Sequence, residues 1–334
     1  MTTSSSESRQ RFRILALDGG GVRGAFSAAV LAALEREIGR KTVEHFDLIA
    51  GTSTGGIIAL GLALGLSAAE VRDFYVSHGP AIFPSTGLGR RAFRSVRQII
   101  APKRSRADLE HAVAAVFGDR TLGEARCRLV LPCYESVTSR IYVLKTGHDP
   151  RFTGDVGARA VDCALATAAA PTYYQASPFP IRPGESYIDG GVWANCPALV
   201  AITEAVSFLG VLPGDIDLLS IGTVGEPFGI TGRRRGGGVL QWNAGLLELL
   251  FRGQAEAALA QANLLTGGGV HRINVVVEPG RFAMDDARGV ADLVALGDAE
   301  GRKKVHVEAV SRRFLTGVPA PPFVPVSGTG ALLP

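Results

Sequence analysis

An α/β sandwich with a mainly parallel sheet is what this sequence predicts, and three observations predict it. Short apolar runs alternate along the chain with segments of helical periodicity, the pattern of strands connected by crossover helices. The first two runs each stop at a glycine-rich loop that opens a helix. The 334 residues, 46% hydrophobic and 20% charged, supply a large core and exclude a disordered chain.

Arg13 to Leu17 is the first strand, ending at Asp18-Gly19-Gly20-Gly21, and apolar residues at helical spacing from Ala25 to Ile38 follow it. Phe46 to Ala50 is the second strand. After the turn Gly51 to Gly56, Ile57 to Leu64 is a helix apolar on all sides and therefore buried. Later strands are expected at 128–133, 140–144, 217–221 and 271–277, with helices at 107–116, 158–169, 198–208, 246–264 and 292–314. No repeat or linker divides the chain. The expected organisation is a tail over 1–10, one domain over 11–317 and a Pro-rich end over 318–334.

Charge says little about partners: 35 Lys and Arg against 31 Asp and Glu leave +4, too small a field to imply a polymeric nucleic acid. A basic insertion spans about 80–106: from Phe74 to Ala107 there is no acid but seven cations, from Arg90 to Arg106, interleaved with aromatic and apolar residues. It suits a solvated face, an anionic lipid surface or a nucleotide. A second insertion, 229–238, carries Arg233-Arg234-Arg235 among glycines and reads as a loop.

Cys127, Cys133, Cys163 and Cys196 have no metal-ligand spacing, so neither a zinc site nor a disulfide framework is expected. The polar start lacks a secretory signal, which points to the cytoplasm. The most apolar stretch, Ile57 to Leu66, is about ten residues, against the ~20 needed to span a bilayer, so membrane contact is expected to be peripheral.

Gly51-Thr52-Ser53-Thr54-Gly55 fits G-x-S-x-G between a strand and a buried helix, the setting of a nucleophile elbow. Gly51 and Gly55 permit the sharp turn that lifts the Ser53 hydroxyl above the sheet. A serine nucleophile needs a base for its proton and preorganised donors for the oxyanion. Gly19-Gly20-Gly21-Val22-Arg23-Gly24 offers unhindered backbone N–H groups at a helix start, a candidate oxyanion hole. The same loop fits G-x-G-x-x-G, but the second strand ends in Gly51 to Gly55 rather than in the acid that would hold a ribose.

For the base, a Ser-Asp-His triad would draw on His271 or His306, and a dyad on Asp189 in Tyr187-Ile188-Asp189-Gly190-Gly191. An Asp-Gly turn without chemistry is the plain alternative.

In that order, Asp18 to Gly24, Gly51 to Gly55 and Asp189-Gly190-Gly191 resemble the patatin-like phospholipase family. Ala164 to Tyr174 and Leu219 to Thr223 look like further family segments, so the resemblance covers about residues 12–225. It implies a three-layer α/β/α fold, Ser53 as nucleophile, Asp189 as its base without a histidine, and oxyanion donors among Gly19, Gly20, Gly21, Arg23 and Gly24. It implies hydrolysis of membrane phospholipids through an acyl-enzyme, with no metal or cofactor. Cys196 stands where the family often has a second Asn after Asn195. The segments Gln261 to Leu265 and Phe314 to Pro325 look like those of bacterial patatins that serve cyclic-oligonucleotide anti-phage signalling, which implies a cyclic dinucleotide activator at the inner face of the cell membrane. A homo-oligomer, a constitutive lipase or esterase, and a non-catalytic lipid- or nucleotide-binding module of the same fold stay open.

Overall fold

The computed structural model describes residues 11–83, 105–227, 244–315 and 319–326, and within 244–248 the backbone alone. The expected tail over 1–10, most of the basic insertion and the whole arginine loop lie outside the described residues.

A central sheet runs in the order β5-β6-β3-β2-β1-β7-β8, with β4 paired to β3. Its parallel part comprises β1 (Phe12–Leu17), β2 (Leu48–Gly51), β3 (Arg128–Glu135), β7 (Ile216–Ile221) and β8 (Val270–Ile273). β4 (Arg140–Lys145), β5 (Ser177–Pro178) and β6 (Ser186–Asp189) add an antiparallel end. The first four parallel strands are buried along most of their length, as expected for strands covered on both faces.

Strand alternation assigns the faces. Leu15, Leu17, Ile49, Leu129, Leu131 and Leu219 point into the larger core, shared with α1 (Gly24–Ile38), α2 (Thr54–Ala63), α3 (Ala68–Ile82), α4 (Arg106–Phe117), α5 (Ala160–Thr167) and α9 (Val290–Gly301). Ile14, Ala16, Leu48, Ala50, Val130 and Leu218 point to the opposite face and meet α7 (Ala198–Leu209) and α8 (Ala244–Leu265). The result is a three-layer α/β/α sandwich. Two further helices are short: α6 (Gly191–Ala194) follows β6, and α10 (Lys304–Val310) follows α9.

Two expectations are corrected in detail. Residues 80–82, at the start of the expected insertion, belong to the end of α3, and the signal was present in Ser67-Ala68-Ala69-Glu70. There the Ser67 hydroxyl accepts from Glu70 N (3.2 Å) and the Glu70 carboxylate accepts from Ser67 N (2.8 Å), a capping box. The single helix expected over 292–314 is broken at Lys303, which leaves helical geometry (ψ 128°). Glu300 holds that corner by accepting from Lys303 Nζ (2.6 Å) and pairing with His306 Nε2 (2.9 Å). The expected strand 140–144 is present as β4 and turns back antiparallel on β3, because the four residues 136–139 cannot accommodate a parallel crossover. From the Pro-rich end, residues 319–326 lie against the body: Ala320 N donates to Glu44 O (2.9 Å) and Val326 N to Gly147 O (2.7 Å).

α9 lies directly on α1 because its glycines face α1 backbone. A Cβ on Gly297 would stand 2.4 Å from Phe26 O, and one on Gly301 2.6 Å from Val30 O. Gly297→Val is therefore expected to force the helices apart and destabilise the fold by ~1–3 kcal/mol, read as a lower Tm in thermal unfolding. An unchanged Tm would mean that this seam is not tight.

Candidate active site

The site forms where two strands end against each other. β4 occupies one edge of β3 along Val130–Glu135, so the partners of the other edge must be β2, against Arg128–Val130, and β6, against Cys133–Glu135. β2 runs parallel to β3 and β6 antiparallel to it, so their carboxyl ends approach across Leu131 and Pro132. A proline suits this gap, since a missing N–H there costs no ladder bond. Ser53 follows the end of β2, and Asp189 is the last residue of β6.

Ser53 has φ 56° and ψ −122°, a strained conformation for a residue with a Cβ. It exposes the hydroxyl at the N-terminus of α2. The flanking glycines are required sterically: a Cβ on Gly51 would stand 2.2 Å from Gly55 O, and one on Gly55 2.2 Å from Leu17 O. Ser53 N donates to Thr167 Oγ1 (3.1 Å), and Thr52 Oγ1 donates to Ala194 O (2.7 Å). The start of α2 is fixed from outside by Tyr75, whose hydroxyl bonds Thr54 Oγ1 and donates to Thr54 O (3.1 Å).

Asp189 is buried, and the Ser53 hydroxyl hydrogen-bonds its carboxylate. Gly191 N also donates to Asp189 Oδ1, at 2.7 Å. Burial raises the Asp189 pKa to about 6, outweighing both hydrogen bonds, which lower it. The carboxylate is thus more basic than an exposed one yet still largely ionised at neutral pH. Gly190 is obligatory beside it, because a Cβ there would stand 2.2 Å from Pro132 O.

The glycine loop crosses over Ser53. Gly19 N donates to Asn195 O (3.0 Å), Val22 N to Met284 O (3.0 Å), Arg23 N to Gly20 O (3.2 Å), and Gly24 N bonds back to the Gly21 carbonyl. Among the described residues, the N–H groups of Gly20 and Gly21 find no acceptor, and these two glycines line the cavity with Ser53. Gly21 sits at φ +58° with Met284 O 2.3 Å from where its Cβ would be, so no other residue fits easily. The Arg23 side chain turns away, its Nε donating to Phe282 O (2.8 Å) and its guanidinium pairing with Glu226 (3.1 Å). It anchors the loop and does not enter the cavity. The loop is held from below by Thr223 Oγ1, which donates to Gly19 O (2.9 Å), and by Asp18, ion-paired with Arg272 at 2.5 Å.

A cavity of about 240 Å³ opens above these groups. Its walls are mainly apolar, with Ile57, Phe74, Ile82, Phe83, Leu109 and Met284 opposite Ser53 and Asp189. Tyr75 also lines it, beside Phe74 and Ile82 of α3 and Phe83 at its end. None of the six histidines reaches the cavity. His271 Nε2 meets His306 Nδ1 at 3.1 Å and His306 Nε2 meets Glu300 at 2.9 Å, a separate cluster between β8 and α10. Cys196 is buried near Asp18, and burial pushes its thiol up to about 12, leaving it protonated. No group of His, Cys, Asp and Glu among the described residues has the arrangement of a metal site.

The profile of the patatin-like phospholipase family matches residues 15–202, which carry Gly19–Gly24, Ser53 and Asp189. The chain belongs to that family. A cGAMP-activated phospholipase of Vibrio cholerae is 35% identical to it over 242 residues, 67% of either chain. One of Pseudomonas aeruginosa is 37% identical over 251 residues, 73% of this chain and 72% of that one. Patatin-like protein 2 of Arabidopsis thaliana is 32% identical over 241 residues, 63% of this chain and 59% of that one.

Four residues of this patatin-like site were given no role from the sequence. Thr167 stood inside Ala164 to Tyr174 with no mark on it. Asn195, whose amide contacts Gly19 O (3.5 Å), and Thr223 hold the loop from 176 and 204 residues away. Arg272, the partner of Asp18, carried no signal, since a buried ion pair is visible only once the chain is folded.

Because burial raises the Asp189 pKa to about 6 from its ordinary value of 3.8, its ionisation destabilises the fold. That cost is absent below pH ~4 and complete above pH ~6, where it is on the order of 3 kcal/mol. Asp189→Asn keeps an oxygen for Gly191 N and is expected to melt higher than the unsubstituted protein at pH 7.5, with the gap closing towards pH 4. A lower Tm at pH 7.5 would contradict the assignment.

Proposed function

We propose that this patatin-like chain is a serine acyl hydrolase of the phospholipase A type, acting on membrane phospholipids through a Ser53–Asp189 dyad. The observation that carries the reading is the pairing of the Ser53 hydroxyl with a buried, basic carboxylate beneath two free N–H groups, at one end of an apolar cavity. Ser53 Oγ attacks the ester carbonyl carbon while Asp189 takes its proton. Charge developing on the carbonyl oxygen is met by the N–H groups of Gly20 and Gly21, fixed in place before the substrate arrives. The tetrahedral adduct collapses, the lysophospholipid alkoxide leaves with the proton from Asp189, and the acyl chain remains esterified to Ser53 in the cavity. A water then attacks the acyl-enzyme with Asp189 again as base, and the fatty acid departs.

Bulk substrate lies in a bilayer, and no helix among the described residues is long and apolar enough to cross one. In this reading the contact is peripheral, at the inner face of the cell membrane. The names of the bacterial relatives, cGAMP-activated phospholipases, support a cyclic dinucleotide as the activator and anti-phage defence as the setting.

The test is fatty-acid release from mixed phospholipid vesicles, with and without a panel of cyclic dinucleotides. Ser53→Ala and Asp189→Asn are each expected to lose at least ~10³-fold in rate while remaining folded. His271→Ala and His306→Ala are expected to retain activity. Since the base must be ionised, the rate is expected to rise with pH through an apparent pKa of about 6. Release by Asp189→Asn at the unsubstituted rate would refute the dyad. Release independent of every nucleotide would leave the lipase and remove the gate.

A further inference from the structure

The end of α5 touches both members of the proposed dyad. Thr167, its last residue, is fully buried and hydrogen-bonds in two directions. Its Oγ1 accepts from Ser53 N (3.1 Å) and donates to Pro132 O (2.9 Å). Pro132 is one of the two residues of β3 left between the end of β2 and the end of β6. Two residues after Thr167, Ala169 O accepts from Asp189 N (3.0 Å). One short segment thus holds the backbone of Ser53 by a side chain and the backbone of Asp189 by a carbonyl, while Thr167 ties both to the gap in β3. The Thr167 methyl is also enclosed, with its Cγ2 2.6 Å from where a Cβ on Gly56 would be.

We infer that Thr167 is the positioning residue of the dyad, setting the distance between the Ser53 hydroxyl and the Asp189 carboxylate by fixing the elbow to β3 and to the α5 terminus. It does not touch the reacting atoms. This rests on the Ser53–Asp189 reading. A β-branched residue with a hydroxyl is needed at this place. The hydroxyl must donate to a carbonyl and accept from an amide at the same time, and the methyl must fill the space against α2. Valine keeps the shape but leaves Ser53 N–H and Pro132 O buried without partners, so the strained elbow loses its tether. Serine keeps both hydrogen bonds and gives up one methyl.

The experiment compares full-length Thr167→Val, Thr167→Ala and Thr167→Ser with the unsubstituted protein and with Asp189→Asn, in vesicle hydrolysis across pH 5–9 and in the labelling rate of Ser53 by a fluorophosphonate. Val and Ala are expected to lower kcat by ~10–10²-fold with KM within about twofold, while Ser stays within about threefold. The Ser53 hydrogen bond lowers the Asp189 pKa, so its loss in Val and Ala is expected to move the acidic limb of the pH profile upward. A purely structural residue would lower Tm without moving that limb. Normal kcat and an unmoved limb in folded Val and Ala, with Asp189→Asn inactive, would overturn the role of Thr167 and leave the dyad standing. An active Asp189→Asn would remove the dyad and this role with it. If Val does not fold, Ala against Ser carries the same comparison.

Discussion

Everything in this site depends on two strands stopping on one edge of a third. β2 and β6 come from distant parts of the chain and run in opposite directions, yet each pairs with β3 and each yields the edge to the other across Leu131 and Pro132. The sheet therefore delivers the residues just beyond one carboxyl end to those at the other, at a spacing set by the pitch of β3. A strand edge left open inside a protein exposes backbone groups that must be paired. Here Pro132 has no N–H to pair, and Thr167 Oγ1 donates to its carbonyl. The void that remains is the space in which Ser53 and Asp189 meet.

Electrostatics follow from that placement. At the buried end of β6 the Asp189 carboxylate has lost its water, and two hydrogen bonds replace only part of it. This is the usual compromise in a site that keeps a base close to neutrality: burial enough to raise basicity, donors enough to keep the charge. The glycine loop shows a matching division of labour. Gly19, Val22, Arg23 and Gly24 spend their N–H groups on holding the loop, and the side chain of Arg23 and the Asp18–Arg272 pair brace it from the far side. Gly20 and Gly21, which line the cavity, have no acceptor for theirs among the described residues. Donors held rigid by their neighbours need no reorganisation when charge develops.

The outer architecture serves the same end. α2 is buried along its whole length, and its N-terminus, just beyond Ser53, is pinned by Tyr75 from α3. α3 and α4 contribute Phe74, Ile82 and Leu109 to the cavity wall, so the helices that cover the sheet also shape the space for an acyl chain.

Local sequence was enough for most of the elements and for candidates for the reactive groups. Ser53 could be read from the glycines around it, because its strained turn permits few residues, and the alternation of apolar runs and helical periods fixed the order of strands and helices. Asp189 was legible as a candidate only, since an Asp-Gly turn looks the same whether or not a hydroxyl faces it. Within the glycine loop the sequence offered five possible donors and could not rank them, because the use of each N–H depends on partners as distant as Asn195 and Met284. The same holds for Thr167, Thr223 and Arg272, ordinary residues whose roles exist only through contacts made across the fold. Periodicity and turn chemistry are local and survive in the sequence. Which strand ends share an edge, and which backbone groups are left unpaired there, is decided by pairing between segments remote in the chain, and only the tertiary structure carries it.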